Sequence, residues 1–291
     1  MQYTIRNDLL TVTVSSRGAE LQSIRHADGT EFLWQGDAAY WTGRAPVPFP
    51  YIARLTNGEY IHRGQTYRLP IHGFAPTAEF TAVQESEAAV VFRLEDSDET
   101  RGIYPFRFCF TLCYRLAGDT LEANYHVENR SDETMYFGMG GHPGFNVPLE
   151  PGLRFEDYSL RFAAPCAPVR VGFTAACFLS GEDTPYPLQD GCALPLRHDL
   201  FDDDAIVLRS ITPDVTLGAP GAKHALRMRF ADFGYLGLWH WPKTDAPYVC
   251  LEPWSSLPSR QDVVETLSEQ PGLLQLAPHG ACEKSFSVQF I

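Results

Sequence analysis

Short stretches of alternating apolar and polar residues dominate the chain. LEANYHVEN sets Leu121, Ala123, Tyr125 and Val127 on one side and Glu122, Asn124, His126 and Glu128 on the other, the period of a half-buried strand. TVTVSS ends at Arg17-Gly18, HADGTEFLWQ carries an Asp28-Gly29 turn, and KSFSVQFI reads as a closing strand. In ARLTNGEYIHRGQTYRLP, Asn57-Gly58 between alternating flanks predicts a two-residue hairpin. Helical periodicity is scarce; the best helix lies in SRQDVVETLSEQPG, with Ser259 as cap and Gly272 as stop. No fixed-period repeat or linker-like composition shift interrupts the pattern. The expectation is an all-β fold of many antiparallel strands with few short helices, a sandwich or barrel forming one domain over residues 1–291.

Composition supports this and narrows the partners. Twenty-two prolines and 23 glycines in 291 residues suit a protein of strands and bends. A net charge of −13 argues against nucleic acid and anionic lipid, both of which need a basic face. MQYTIRNDLLTVTVSS puts Arg6 and Asp8 where a signal peptide would need apolar residues, and no run approaches the roughly 18 apolar residues of a membrane span. Seven scattered cysteines without a C-x-x-C pair fit a reducing cytoplasm, with Cys109 and Cys113 as small core residues on one strand face. No zinc-type spacing, P-loop or G-x-G-x-x-G is present, so neither a metal nor any cofactor is expected.

Against this background a few polar residues stand out. GMGGHPGFNVP places His142 in a run of glycines and prolines that breaks regular strand structure. In YVCLEPWSSLPS, Glu252 follows Tyr248, Val249, Cys250 and Leu251 with no polar alternation, so its strand is expected to be buried on both faces. A carboxylate there loses solvation and its pKa rises unless a partner compensates, which suits a general base near neutral pH or a structural ion pair. His72 in RLPIHGFAP and His142 each fit catalysis or the capping of a backbone carbonyl. Arg54 fits an ion pair or a ligand contact, whereas His126 is expected to be simply solvated. In FDDDAIVL, one of Asp202, Asp203 and Asp204 is expected to point inward. Trp239 and Trp241 share one strand face in GLWHWP, where tryptophans serve either a core or the stacking face of a sugar pocket.

Taken in order, AYWTGRAPVPFPYIARLTNGEY, LPIHGFAP, YPFRFCFTLCYRL, FGMGGHPGFNVPL, FDDDAIVL and APYVCLEPWSSLPS resemble the aldose 1-epimerase (galactose mutarotase) family, and within it the LacX-like branch. The resemblance runs from about Gly18 to the last strand. It implies a β-supersandwich with an open sugar cleft. In that cleft His142 would be the general acid and Glu252 the general base, on opposite sides of the sugar's C1–O5 bond. His72 and Arg54 would bind substrate and orient the acid, Asp204 (or Asp203) would hold sugar hydroxyls, and Trp239 would pack against the sugar. The glycines would let the backbone turn sharply at His142. The Pro-Gly-Phe after His142 departs from the Tyr-Phe-Asn of better-known mutarotases and marks a divergent branch. Another branch acts on hexose 6-phosphates through several arginines; here Arg44 and Arg54 form no such cluster. The implied activity is interconversion of the α and β anomers of a free aldose, without metal or cofactor, by a monomer or homodimer. A non-catalytic carbohydrate-binding protein, a hexose 6-phosphate 1-epimerase, and a glycoside hydrolase using Asp204 and Glu252 are the alternatives.

Overall fold

The computed structural model describes residues 1–291. Two antiparallel sheets organise it. The larger has nine strands, in the order Ala193–Pro195, Ser159–Phe162, Asp214–Gly218, Leu226–Arg229, Ala281–Phe290, Thr120–Asn129, Phe108–Ala117, Ala89–Glu95 and Thr81–Ser86. The smaller has six: Gly144–Asn146, Tyr248–Trp254, Tyr235–Trp239, Ile206–Arg209, Val169–Arg170 and Thr184–Pro185. A 64-residue buried cluster draws on both, with Phe110, Leu112, Tyr125 and Phe286 from the larger sheet and Leu208, Leu236, Val249 and Leu251 from the smaller. The alternation read in LEANYHVEN is realised as Leu121, Ala123, Tyr125 and Val127 facing this core. No helix is long and apolar enough to cross a membrane.

Three sequence expectations are corrected. The residues around Asn57-Gly58 form a single turn leading into strand Glu59–His62. The hairpin to Gln65–Arg68 closes one step later, at Arg63-Gly64, where His62 pairs with Gln65. Asn57 and Gly58 do have the positive φ values of 57° and 68° that their types favour, but the chain before them does not pair with the strand after. No helix forms between Ser259 and Gly272. Ser259 is buried with its hydroxyl accepting from Thr56 N at 2.8 Å, Glu265 is tied to Arg260, and Glu265–Thr266 pairs parallel to Glu59–His62. Tertiary partners override a weak local helix preference. The one α-helix is Asp98–Ile103, with Ser97 and Thr100 as a capping box. Finally, Cys109 and Cys113 share a face, and Cys109 is buried as expected while Cys113 is only half-buried, but theirs is not the face packed in the 64-residue cluster. Phe108, Phe110, Leu112 and Tyr114 occupy that side, and Cys109 instead accepts from Arg93 Nε on the other. All seven cysteines are free thiols.

Candidate active site

Strand Tyr248–Trp254 lacks polar alternation because every residue in it is buried. Val249 and Leu251 enter the main core. The other face carries Tyr248, Cys250, Glu252 and Trp254 in succession. Tyr248 and Cys250 pack with Trp34, Trp41 and Trp239, while Glu252 and Trp254 line a cleft of about 480 Å³.

His142 reaches the same cleft through strand register. Gly144 pairs with Cys250, and an isolated antiparallel bridge joins Gly140 to Trp254. These pairs share one register, so His142 lies directly opposite Glu252. Gly141 N donates to Pro253 O and Leu251 N to Pro143 O, both at 3.1 Å. The His142–Glu252 position is therefore flanked by bonded pairs and is itself a non-bonded pair, where facing side chains come closest. His142 Nε2 stands 3.2 Å from Glu252 Oε2.

The glycines play a different part from the sharp turn expected. None of Gly138, Gly140, Gly141 and Gly144 has a positive φ. Gly140 and Gly144 flank His142 on its own face of the strand, and a Cβ on Gly140 would sit 2.4 Å from Pro253 O and 3.2 Å from Trp254 Cδ1. They permit close approach, so the imidazole packs between Trp41, Trp239 and His72. On the neighbouring strand, Gly237 pairs with Glu252 for the same reason.

Desolvation governs the pair. Burial, with His72 nearby, pushes His142 well below the ordinary histidine range. Burial and the charge of Asp204 push Glu252 well above the carboxylate range, only partly opposed by the Trp254 indole. Both charged forms are disfavoured, so the pair holds one proton between its two groups over a broad pH range. His142 Nδ1 and Glu252 Oε2 have no hydrogen-bond partner within the protein.

The remaining expected residues converge here. His72 adopts a left-handed φ of 63°, its N–H donating to Ala53 O at 2.9 Å and its Nδ1 accepting from Ala53 N at 3.2 Å. With Nδ1 as acceptor, the proton of the neutral ring sits on Nε2. Burial and the Arg54 guanidinium hold His72 down to about 4, and its ring stands edge-on to His142 at 5.4 Å. Arg54 Nη2 lies 3.8 Å from Asp204 Oδ2. Asp202 and Asp203 are exposed and Asp204 is half-buried; Asp203 also lines the cleft, whereas Asp202 does not. Trp239 stands edge-on to Trp41 at 5.3 Å and to His142 at 5.7 Å, so it is a cleft wall. His126 is on the outer face of its strand, away from the cleft.

Sequence reasoning passed over Trp41 and Cys177. Trp41 packs 5.1 Å from the His142 ring. The Cys177 thiol donates to Asp204 Oδ2 at 2.8 Å, and burial and that carboxylate raise its pKa to about 11. Both come from irregular segments with no periodicity to mark them; the aromatic AYWTG that opens the first matched stretch was the one signal for Trp41. His142, Cys250 and Glu252 also bring donor atoms within 4.8 Å of one another and could hold a metal ion. Burial and Glu252 keep the Cys250 thiol protonated, so a metal would first have to displace that proton.

Comparison with known proteins bears on the family and the fold. The family model for aldose 1-epimerase matches residues 1–176. Chromosomal protein LacX of Lactococcus lactis subsp. lactis is 33% identical, the alignment covering 100% of each chain. Among solved structures, a galactose mutarotase related enzyme from Lactobacillus acidophilus superposes with a TM-score of 0.94 at 37% identity, covering 100% of this chain and 97% of that one. A galactose mutarotase-like protein from Lactobacillus casei ATCC 334 gives 0.93 at 31% identity, with 100% of both chains covered. The fold is of the galactose mutarotase-like, all-β kind.

Proposed function

The chain belongs to the aldose 1-epimerase family, and from that premise we propose that it interconverts the α and β anomers of a neutral aldose by acid–base ring opening. The observation that carries the proposal is the 3.2 Å contact between His142 Nε2 and Glu252 Oε2, both buried side chains at the wall of the cleft. Mutarotation removes a proton from the anomeric hydroxyl and delivers one to the ring oxygen. These two oxygens are bonded to the same carbon, so their proton acceptor and donor need to be neighbours. An arrangement across a whole pyranose, on opposite sides of the C1–O5 bond, is not required. Glu252 acts as base toward the hydroxyl and His142 as acid toward the ring oxygen, each contributing roughly 10²–10⁴-fold. After rotation about C1–C2 the aldehyde closes to the other anomer with the proton movements reversed. Ring opening uses the tautomer with Glu252 ionised and His142 protonated and leaves the neutral tautomer that burial favours; ring closure uses that one and restores the first.

His72 presents Nε2–H to the sugar, and with Arg54 it positions hydroxyls and stabilises charge developing on the ring oxygen. Asp204, oriented by Cys177 and Arg54, accepts from sugar hydroxyls. Trp239 packs against the ring. Arg54 is the one cationic Lys or Arg lining the cleft, beside Asp203, Asp204 and Glu252. That balance disfavours a phosphorylated sugar. The test follows anomer exchange of freshly dissolved α-glucose, α-galactose, α-xylose and α-arabinose by polarimetry, with saturation-transfer NMR as a second readout. Exchange faster than buffer for at least one sugar is expected. Measurable sugar binding with buffer-rate exchange would defeat the enzyme reading in favour of a carbohydrate-binding protein.

A further inference from the structure

Few large apolar side chains are exposed: Met1, Leu9, Ile71, Val83, Trp241 and Ile291. Met1 and Ile291 are chain ends and Leu9 and Val83 lie elsewhere, but Ile71 (52% exposed) and Trp241 (44%) line the same cleft as the His142–Glu252 pair. Exposed apolar groups gathered at one site mark a recognition surface more often than scattered ones do. Trp241 lies one step outward along a ladder of rings. Trp239 stands 5.7 Å from His142, and Trp241 stands edge-on to Trp239 at 6.1 Å. Backbone holds it there, since Trp241 N donates to Tyr248 Oη at 3.0 Å. Beside it, Pro242 adds a rigid apolar face.

Room points the same way. A hexose displaces roughly six waters' worth of liquid at about 30 Å³ each, well under half of the 480 Å³ available. Trp241 and Ile71 line the same space. A substituent there cannot sit on the anomeric oxygen, because ring opening needs a free hydroxyl at that carbon.

On the basis of the mutarotase reading, we propose that the cleft holds a second sugar ring on Trp241 and Ile71, making reducing disaccharides its preferred ligands. The reacting ring lies over His142 and Glu252. The second ring, linked through an oxygen away from C1, lays a C–H face on the Trp241 indole.

Calorimetric titration with maltose, cellobiose and lactose beside glucose and galactose reads this directly, because affinity needs no turnover. At least one disaccharide should bind about tenfold more tightly than its own reducing-end monosaccharide. Trp241→Ala should bring that ratio down toward one, and Ile71→Ser should lower it part-way. Equal affinities in the wild type, or a ratio indifferent to both substitutions, would overturn the proposal. So would sedimentation showing a dimer that Trp241→Ala dissociates, since the rim would then be a contact between copies. Should no sugar exchange anomers faster than buffer, the mutarotase reading falls while these affinities still decide the second-ring site.

Discussion

Gly237→Ala separates positioning from stability. Gly237 is paired across the ladder with Glu252, and a Cβ built on it lies 3.1 Å from Glu252 Cβ and 3.5 Å from both Glu252 Cδ and Trp254 Cε2. Ordinary contact between such carbons begins near 3.5 Å, so the carboxylate must retreat by a few tenths of an ångström. Catalysis with near-attack geometry loses on the order of 10²-fold for a 1 Å misplacement; about half that distance predicts a roughly tenfold drop in kcat/KM for anomer exchange. Folding should hardly notice. Gly237 has no positive φ, and Gly→Ala at a compatible position gains about 0.4–1 kcal/mol from the unfolded chain, which offsets most of the crowding. Unfolding free energy by urea should therefore stay within about 1 kcal/mol of wild type. Gly234→Ala is the control, because a Cβ there meets nothing within 4 Å and both activity and stability should hold. Wild-type activity in Gly237→Ala, or an equal loss in Gly234→Ala, would refute the view that the close approach of these strands sets the carboxylate's position.

Glu252→Gln and His142→Asn should each lower catalysed exchange by roughly 10²–10⁴-fold, while Glu252→Gln leaves the thermal midpoint unchanged or higher because a poorly solvated carboxylate is removed; saturation-transfer NMR and calorimetry read the two effects. The pH profile of kcat/KM should show no fall on acidification through the ordinary histidine value of 6.5. The pair takes up its second proton only well below that value, since His142 is depressed, and gives up its one proton only well above the carboxylate range, since Glu252 is raised; a tenfold fall per pH unit centred on 6.5 would contradict this. Fully buried His240, its Nδ1 bonded to Trp241 O at 2.8 Å, is held at about 4 chiefly by burial. Its unfolded form binds a proton first, so the stability it confers is intact above pH 6.5 and declines as pH falls toward 4. Between pH 6.5 and 5 the wild type should lose about 1.6 kcal/mol more than His240→Gln in urea titrations, and parallel losses would exclude the assignment.

The sequence made the strands legible wherever one face met the core and the other met solvent, as in Thr120–Asn129, because a two-residue period then records the sheet directly. It also revealed Glu252, by the reverse signal: a carboxylate in a run with no polar alternation. What local pattern could not carry was partnership. Ser259–Gly272 has helix-like spacing, yet Thr56, Arg260 and Tyr51 draw its polar groups into an irregular path. On the Cys109–Cys113 face the expectation of burial holds for Cys109 and fails for Cys113, because alternation tells two faces apart without saying which is the main core. Trp41 and Cys177 sit in segments whose conformation is set by what they touch, so only a family resemblance could have selected them.

The glycine-rich stretch around His142 shows why motif and register belong together. Gly140 and Gly144 clear His142's own strand face, while Pro143 and Pro253 follow the two reacting residues. A proline has no N–H to donate, so the bonded pairs on either side of His142 and Glu252 each keep one ladder bond instead of two, with the proline carbonyl as acceptor. Register survives, because Gly140–Trp254 and Gly144–Cys250 clamp it from both ends. The two side chains thus face each other at the closest position an antiparallel ladder offers, from residues 110 apart in sequence. A one-residue slip would send the imidazole to the opposite face of the sheet. The facing of one imidazole and one carboxylate is therefore specified by backbone pairing first and by the chemistry of the two side chains second.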